Sequence, residues 1–142
     1  MATIGQMLNR LEAIDTDKLI EETLEDSADV ISDLNAEQIN SGIKSDGTEM
    51  PDYSIRSVVQ YNKPVGPIRL RETGAWQQGI RTTVHGEIID TTSIDPKNDM
   101  LEKRYGTEIL GLSEKYRQEA IREAVQPNFK SKMEQATGIT MK

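Results

Sequence analysis

Cysteine is absent from this chain of 142 residues. A disulfide framework and a thiolate metal site are therefore excluded. The chain also lacks a run of about 18 apolar residues, the length that a membrane-spanning helix requires. Its first residues do not show the basic region followed by an apolar stretch that is typical of a secretory signal. We expect a soluble protein that is made in a cytoplasm.

Aromatic residues are scarce as well. They make up 4% of the chain, with one tryptophan and one phenylalanine, and apolar residues of all kinds reach only 35%. Packing must therefore depend on isoleucine, leucine, valine and methionine. A chain of this length forms a single domain, residues 1–142, with a modest core. Burial in an oligomer could supplement its stability.

The net charge of −7 is distributed unevenly. Residues 1–50 carry 12 acids and 3 bases, a net charge of −9, whereas residues 51–142 carry 12 acids and 14 bases, a net charge of +2. The acidic first third repels nucleic acid at long range and could attract a basic partner. Within it lies an acidic stripe with helical spacing, which is either a solvated face or a partner site. The stripe comprises Glu22, Asp26, Asp29 and Asp33.

Apolar spacing predicts two helices in the first 41 residues. Residues 1–15 form a short amphipathic helix, which either packs on its own domain or acts as an arm that docks on a neighbour. Its apolar residues are Ile4, Met7, Leu8, Leu11 and Ile14. Residues 16–41 form a long helix that Thr16 caps and Gly42 stops. Its predicted apolar face comprises Ile20, Leu24, Ala28, Ile31 and Leu34.

The pattern of the middle of the chain predicts a sheet region over residues 55–92. Residues 55–61 are predicted to be a strand between two loops, 42–54 and 62–67. The alternation of Ile68 and Leu70 with arginines predicts a second, half-buried strand, and Thr73 can cap the turn that Gly74 opens. Trp76 follows on a short helical or irregular piece. Residues 80–84 and 87–92 then read as a hairpin that turns at His85 and Gly86.

Two further helices complete the prediction. A short one opens at Asp95-Pro96, carries Met100, Leu101 and Tyr105, and closes at Gly106. The last runs over residues 113–137 from an N-cap at Ser113 and is kinked or broken near Pro127. The sequence therefore predicts an α+β fold, in which two long helices pack on a small antiparallel sheet with long loops.

Candidate chemistry is sparse. The single histidine, His85, is predicted to be an exposed turn residue. The run Ser45–Glu49 is similar to part of a calcium loop but lacks its ligand spacing, and indicates a turn at Asp46-Gly47. No catalytic motif is recognisable, and we expect no enzyme activity, no cofactor and no metal.

Large and basic side chains near the loops suggest contacts between subunits. Arg69, Arg71 and Arg81 around Trp76 could also bind nucleic acid, but such arginines more often face neighbouring carboxylates and a lone tryptophan is more often an anchor. Burial of Met50, Tyr53 and Trp76 inside the domain is the alternative. The predicted subunit interface comprises Met50, Tyr53, Arg69, Arg71 and Trp76.

The run Ile68–Ile80, followed by Tyr105-Gly106 and Ile109–Ser113, resembles the tail-completion or virion-morphogenesis proteins of tailed bacteriophages. The upstream runs Gln38–Thr48 and Pro51–Ser54 resemble versions from phages and prophages of Bacteroides-type hosts. The positions that match the family pattern are expected to be structural. They are Leu70, Thr73, Gly74, Gly79, Ile80, Tyr105, Gly106, Leu110, Gly111, Leu112 and Ser113.

The resemblance implies a structural virion protein at the head–tail junction. Such a protein forms a homo-oligomeric ring, connects the portal or adaptor to the tail and lets DNA pass without sequence-specific binding. It is synthesised in the bacterial host cytoplasm and has no membrane partner. We hypothesise that the acidic helix faces the channel, because carboxylates do not hold phosphates.

Two other function classes stay open at this point. The acidic stripe could make the chain a DNA mimic that inhibits a nucleic-acid enzyme, in which case binding should be tight and strongly salt-dependent. A small hydrolase that depends on His85 is the third possibility.

Overall fold

The computed structural model describes residues 3–6, 8, 15–70 and 74–138. After the first helical residues, the elements occur in the order α1 to α3, a β-hairpin, α4 and a long C-terminal helix. They are α1 (Thr16–Asn40), α2 (Ile55–Gln60), α3 (Ala75–Gln78), β1 (Ile80–His85), β2 (Ile88–Ser93), α4 (Asn98–Tyr105), a 3₁₀ turn (Thr107–Ile109), α5 (Glu114–Ala120), a π turn (Ile121–Val125) and α6 (Gln126–Thr137). Among the described residues no helix is long and apolar enough to cross a membrane.

Helix α1 confirms the predicted long helix, but its cap is different. Asp15 is the N-cap, and its Oδ1 accepts a hydrogen bond from the Lys18 nitrogen at 3.1 Å. The prediction of Thr16 as the cap is wrong, because a carboxylate one residue earlier satisfies the free amide and complements the helix dipole. Ser41 is the C-cap, and Gly42 then turns the chain with φ of +79°.

The predicted α+β fold is confirmed, and α1 is its central element. Its Ser32 hydroxyl lies 2.8 Å from the Thr82 hydroxyl of β1. Elsewhere on α1, the Ser27 hydroxyl accepts a hydrogen bond from the Asn128 side chain of α6 at 3.0 Å. Small hydroxyl residues at both places let the neighbouring elements approach the helix closely. The hairpin and the C-terminal helix are thus held by different faces of α1.

The buried face of α1 is more polar than predicted. Thr23 and Ser27 are buried, and their hydroxyls donate back to the carbonyls of Leu19 and Thr23 within the helix. Such internal bonds allow hydroxyl residues to be buried without an unsatisfied donor. Ile31 and Leu34 are buried as predicted. The remaining predicted apolar positions, Ile20, Leu24 and Ala28, are half-buried.

The hairpin is close to its prediction. Strands β1 and β2 pair antiparallel from Ile80 opposite Ser93 to His85 opposite Ile88, and the turn falls at Gly86-Glu87, one residue later than predicted. Gly86 has φ of +65°, the left-handed conformation that tight turns favour. Within the described part of the chain these two strands form the whole sheet.

Two strand predictions in the sheet region are wrong. Residues 55–60 form helix α2, because the Ser54 hydroxyl caps it by accepting a hydrogen bond from the Ser57 nitrogen at 3.1 Å. The β-branched residues that suggested a strand there are a weak guide without a packed neighbour. Ile68 and Leu70 are half-buried as expected, but they are not a strand: Pro67 lacks an N–H, and Leu70 has φ of +52°.

The remaining helices follow the sequence signals. Helix α4 starts two residues after Pro96 and ends at Gly106, as predicted. Ser113 is the N-cap of the C-terminal helix, and Gly138 ends it with φ of +71°. Pro127 does not break this helix. The π turn Ile121–Val125 precedes Pro127, and a wider turn there accommodates the missing hydrogen-bond donor and the bulk of the ring.

The core consists of two apolar clusters along α1. The first cluster joins the C-terminal part of α1 to the loop that follows it, to α3 and the hairpin, and to the 3₁₀ turn. Its buried members are Ile39, Met50, Trp76, Ile80, Ile109 and Leu110. The other joins α1 to the C-terminal helix through Ile31, Leu34, Tyr116 and Ala120.

In the N-terminal segment the backbone is helical at residues 4–6 and 8, and Ile4 and Leu8 are exposed. Met7, Leu11 and Ile14, which belong to the predicted arm, lie outside the described residues.

Candidate assembly surface

Trp76 anchors the first cluster. Its side chain is 3% exposed, and its Nε1 donates a hydrogen bond to Asn98 Oδ1 at 3.0 Å. The Trp76 carbonyl accepts a further hydrogen bond from the Ser93 hydroxyl at 2.9 Å. A buried indole usually needs such a partner for its N–H. Of the two roles that the sequence left open for Trp76, packing inside the domain is the one that this burial supports.

The predicted subunit interface separates into three groups. Met50 and Trp76 are buried in the domain's own core, which is the alternative that the sequence left open for them. Their large apolar side chains pack against Ile39 of α1 and Ile80 of the hairpin. Tyr53 is half-buried and Arg69 is exposed, and both stay candidates for contacts with a partner. Arg71 lies outside the described residues.

Two buried amides on α1 hold the segment 109–113, although neither was predicted from the sequence as a functional residue. Gln38 Nε2 donates to the Gly111 carbonyl at 2.9 Å, and Gln38 Oε1 accepts from the Ser113 nitrogen at 2.7 Å. Asn35 Oδ1 accepts from the Gly111 nitrogen at 2.8 Å. Both amides are fully buried. Their spacing of three along a predicted helix was the available signal, since Asn and Gln at a buried helix face need dedicated partners.

The positions that match the phage pattern concentrate at turns and in the core. Gly74, Gly106 and Gly111 have φ of +79°, +93° and +98°, conformations that strain any residue with a Cβ. Ile80 and Leu110 are buried in the first cluster, and Tyr105 packs on it. A Cβ at Gly79 would lie 2.9 Å from the Ser93 hydroxyl. Leu112 packs on the second cluster, and Thr73 lies outside the described residues.

An apolar lobe, residues 54–65, stands on a paired base. The Tyr53 nitrogen donates to the Gly66 carbonyl at 3.0 Å, and the Ile68 nitrogen donates to the Pro51 carbonyl at 2.9 Å. Above this base, α2 buries none of its residues. Four large side chains of the lobe are strongly exposed: Ile55 at 83%, Val59 at 80%, Tyr61 at 61% and Val65 at 86%. An exposed apolar group of this density is typical of a surface that a partner covers.

A groove of about 590 Å³ lies between the lobe and α4. Trp76 and Leu70 contribute to its lining, and the half-exposed Met100 lies on the α4 side. Its charged lining residues are three bases and two acids: Lys63, Lys97, Arg104, Asp52 and Asp95. The groove can therefore receive apolar side chains of a partner, and it offers charged groups of both signs at its walls.

The hairpin carries a second exposed apolar group. Ile88 and Ile89 of β2 are 66% and 39% exposed. Glu87 and Asp90 are exposed beside them. At the turn, the Gly86 nitrogen donates to Glu21 Oε2 at 3.1 Å, which places the hairpin tip beside the first turns of α1. His85 is exposed, as predicted, but it is the last residue of β1 and not a turn residue.

The acidic stripe of α1 is partly neutralised from the C-terminal helix. Lys132 Nζ lies 2.9 Å from Asp26 Oδ2 and 3.9 Å from Glu22 Oε2. The hydrogen bond to Asp26, with the negative charges of Asp26, Glu22 and Glu25, raises the pKa of Lys132 above its ordinary value of 10.5. Asp29 and Asp33 are exposed, and both border a second groove that Arg81 also lines. The stripe is therefore only in part an open anionic face.

The run Ser45–Glu49 is a turn, as predicted. Asp46 Oδ1 accepts hydrogen bonds from the Thr48 hydroxyl and the Thr48 nitrogen, and these bonds lower the pKa of Asp46. The carboxylate is thus occupied by its own loop. Within the described part of the chain, no group of three or more His, Asp or Glu side chains could hold a metal ion.

Comparisons with protein-family models, with curated proteins and with solved structures gave no significant match.

Proposed function

We propose that this protein is a structural component of the head–tail junction of a tailed bacteriophage, where it joins the portal or adaptor to the tail. The observation that carries the proposal is the apolar lobe. Its helix buries no side chain, while three of its aliphatic residues are at least 80% exposed. A surface of this kind is costly in water and gains stability when another subunit covers it.

The positions that match the phage pattern support the same role through their place in the turns and the core of the domain. Its glycines set the turns around Trp76 and before the C-terminal helix, and its apolar residues enter the first cluster. These positions build the scaffold from which the lobe and the groove are presented. In this proposal the matching positions stabilise the fold of the domain, and the lobe supplies the contacts with other subunits.

The acidic stripe fits a ring through which DNA passes. Exposed carboxylates at Asp29 and Asp33 would repel phosphates if α1 faced the channel. The DNA-mimic alternative is less well supported, because Lys132 pairs with two of the four carboxylates and interrupts the stripe.

Cryo-electron microscopy of purified virions tests the proposal directly. We expect this chain to be traced at the head–tail junction, and particles made without it to accumulate as unjoined heads and tails. A double variant, Ile55→Asp with Val59→Asp, should fold but fail to enter particles. The control Gln135→Asp adds a charge at an exposed position of α6 and should be incorporated normally. Finding the wild-type chain only free in lysates would overturn the proposal.

A further inference from the structure

Two exposed apolar patches on this chain carry opposite charge. The first is the apolar lobe, residues 54–65, which contains Arg56 and Lys63 and no acidic residue. The second, here the hairpin tip, is residues 86–91, which contain Glu87 and Asp90 and no basic residue. Both combine exposed aliphatic side chains with charges of a single sign.

The two patches lie at opposite ends of α1. The hairpin tip is tied to the start of this helix by the bond from the Gly86 nitrogen to Glu21. The base of the lobe reaches the other end, because a Cβ at Gly42 would lie 2.7 Å from the Pro67 side chain. From Glu21 to the end of α1 the helix spans roughly 30 Å at 1.5 Å per residue. The patches therefore cannot cover each other within one chain.

We propose that the hairpin tip of one copy docks against the apolar lobe of a second copy. The aliphatic side chains of the two patches then bury one another, while Arg56 and Lys63 lie near Glu87 and Asp90. Contacts between two lobes, or between two hairpin tips, would bring like charges together and are disfavoured. The preferred contact is therefore head-to-tail, and a contact of this type generates either a closed ring or a filament.

This inference rests on the proposed role as a self-assembling virion component, and it names the surfaces that assemble. It is tested on the purified chain alone, without virions. A chain that self-associates through these patches but is absent from particles would contradict the proposed function only. A chain that enters particles but whose patches do not bind each other would contradict this inference only.

The experiment exchanges the charges of the two patches. One variant carries Arg56→Glu and Lys63→Glu, and the other carries Glu87→Lys and Asp90→Lys. We expect each variant alone to associate at least about tenfold more weakly than wild type in sedimentation-equilibrium measurements, because the contact becomes repulsive. An equimolar mixture should regain association, since every contact then again pairs opposite charges.

The control is Arg122→Glu with Lys130→Glu, which makes the same change in net charge as the lobe variant, but at exposed positions of the C-terminal helix. It should associate as wild type does, and far-UV circular dichroism should show that all variants are folded. The inference is overturned if wild type stays monomeric up to about 1 mM, if either patch variant associates as tightly as wild type, or if the mixture fails to recover.

Discussion

Gln38 and Ser113, which are 75 residues apart in the chain, are joined by a hydrogen bond of 2.7 Å from the Ser113 nitrogen to Gln38 Oε1. The same side chain donates to the Gly111 carbonyl at 2.9 Å. One buried amide thus fixes both the approach to the C-terminal helix and its N-cap residue against α1. Every buried side-chain nitrogen and oxygen of the described residues has a partner, so this bond belongs to a fully satisfied interior.

Replacing Gln38 with alanine should therefore be strongly destabilising. Ser113 is buried, and the variant leaves its nitrogen and the Gly111 carbonyl without their partner. We expect a loss of roughly 2–5 kcal/mol in the free energy of unfolding, measured by urea denaturation. The matched control Gln135→Ala, at an exposed position of α6, should change it by less than about 0.5 kcal/mol. Equal effects of the two variants would contradict the role of Gln38.

Trp76 offers a test that separates packing from hydrogen bonding. Trp76→Ala should cost about 3–5 kcal/mol, because it empties the centre of the first cluster. Trp76→Phe keeps much of the apolar volume but leaves Asn98 Oδ1 without its donor, and should cost about 1–3 kcal/mol. Circular dichroism during denaturation measures both variants. If Asn98→Ala added its full cost to that of Trp76→Phe, the two residues would not be coupled.

Gly42 should tolerate alanine much less well than Gly47. Both residues have positive φ, +79° and +85°, so both variants carry backbone strain of about 1 kcal/mol or more. Only at Gly42 would the new Cβ also strike Pro67, since the space around Gly47 is open. We expect Gly42→Ala to lower the thermal midpoint clearly further. A result in which the two variants melt together would show that Pro67 is not held against the end of α1.

The ion pair of Lys132 predicts a pH dependence at the alkaline end. Because the pKa of Lys132 is raised on folding, its contribution to stability is fully present below 10.5 and is lost as the pH rises through the raised value. Wild type should therefore lose more stability than Lys132→Gln between neutral pH and pH above 10.5. The same difference should shrink at high salt. Parallel stability curves for the two proteins at all pH values would exclude this contribution.

Local signals in the sequence located most of the helical elements. Each of these signals involves only a few adjacent residues, and together they were enough to place the elements. They are the acidic start and the glycine stop of α1, the proline before α4, and Ser113 ahead of the C-terminal helix. The hairpin was found in the same way, within one residue at its turn. Residues 55–60 were misjudged because β-branched composition favours a strand, whereas Ser54 supplies a helix cap.

The candidate surface needed the tertiary structure. Met50, Tyr53 and Trp76 look alike in sequence as large residues near loops, but only the fold decides that Met50 and Trp76 enter the core and that Tyr53 borders the groove. The exposure of Ile55 and Val59 could not be predicted from the sequence either, because an aliphatic residue on a short helix usually packs against a neighbouring element.

By itself, then, the sequence determined the class of fold, the ends of its long helices and the uneven distribution of charge, since each of these depends on residue type and short spacing. The tertiary structure decided which apolar residues stay in water, which amides hold the segment 109–113, and where the basic and acidic patches lie along α1. These are relations between residues dozens of positions apart, and packing alone brings them together or keeps them apart.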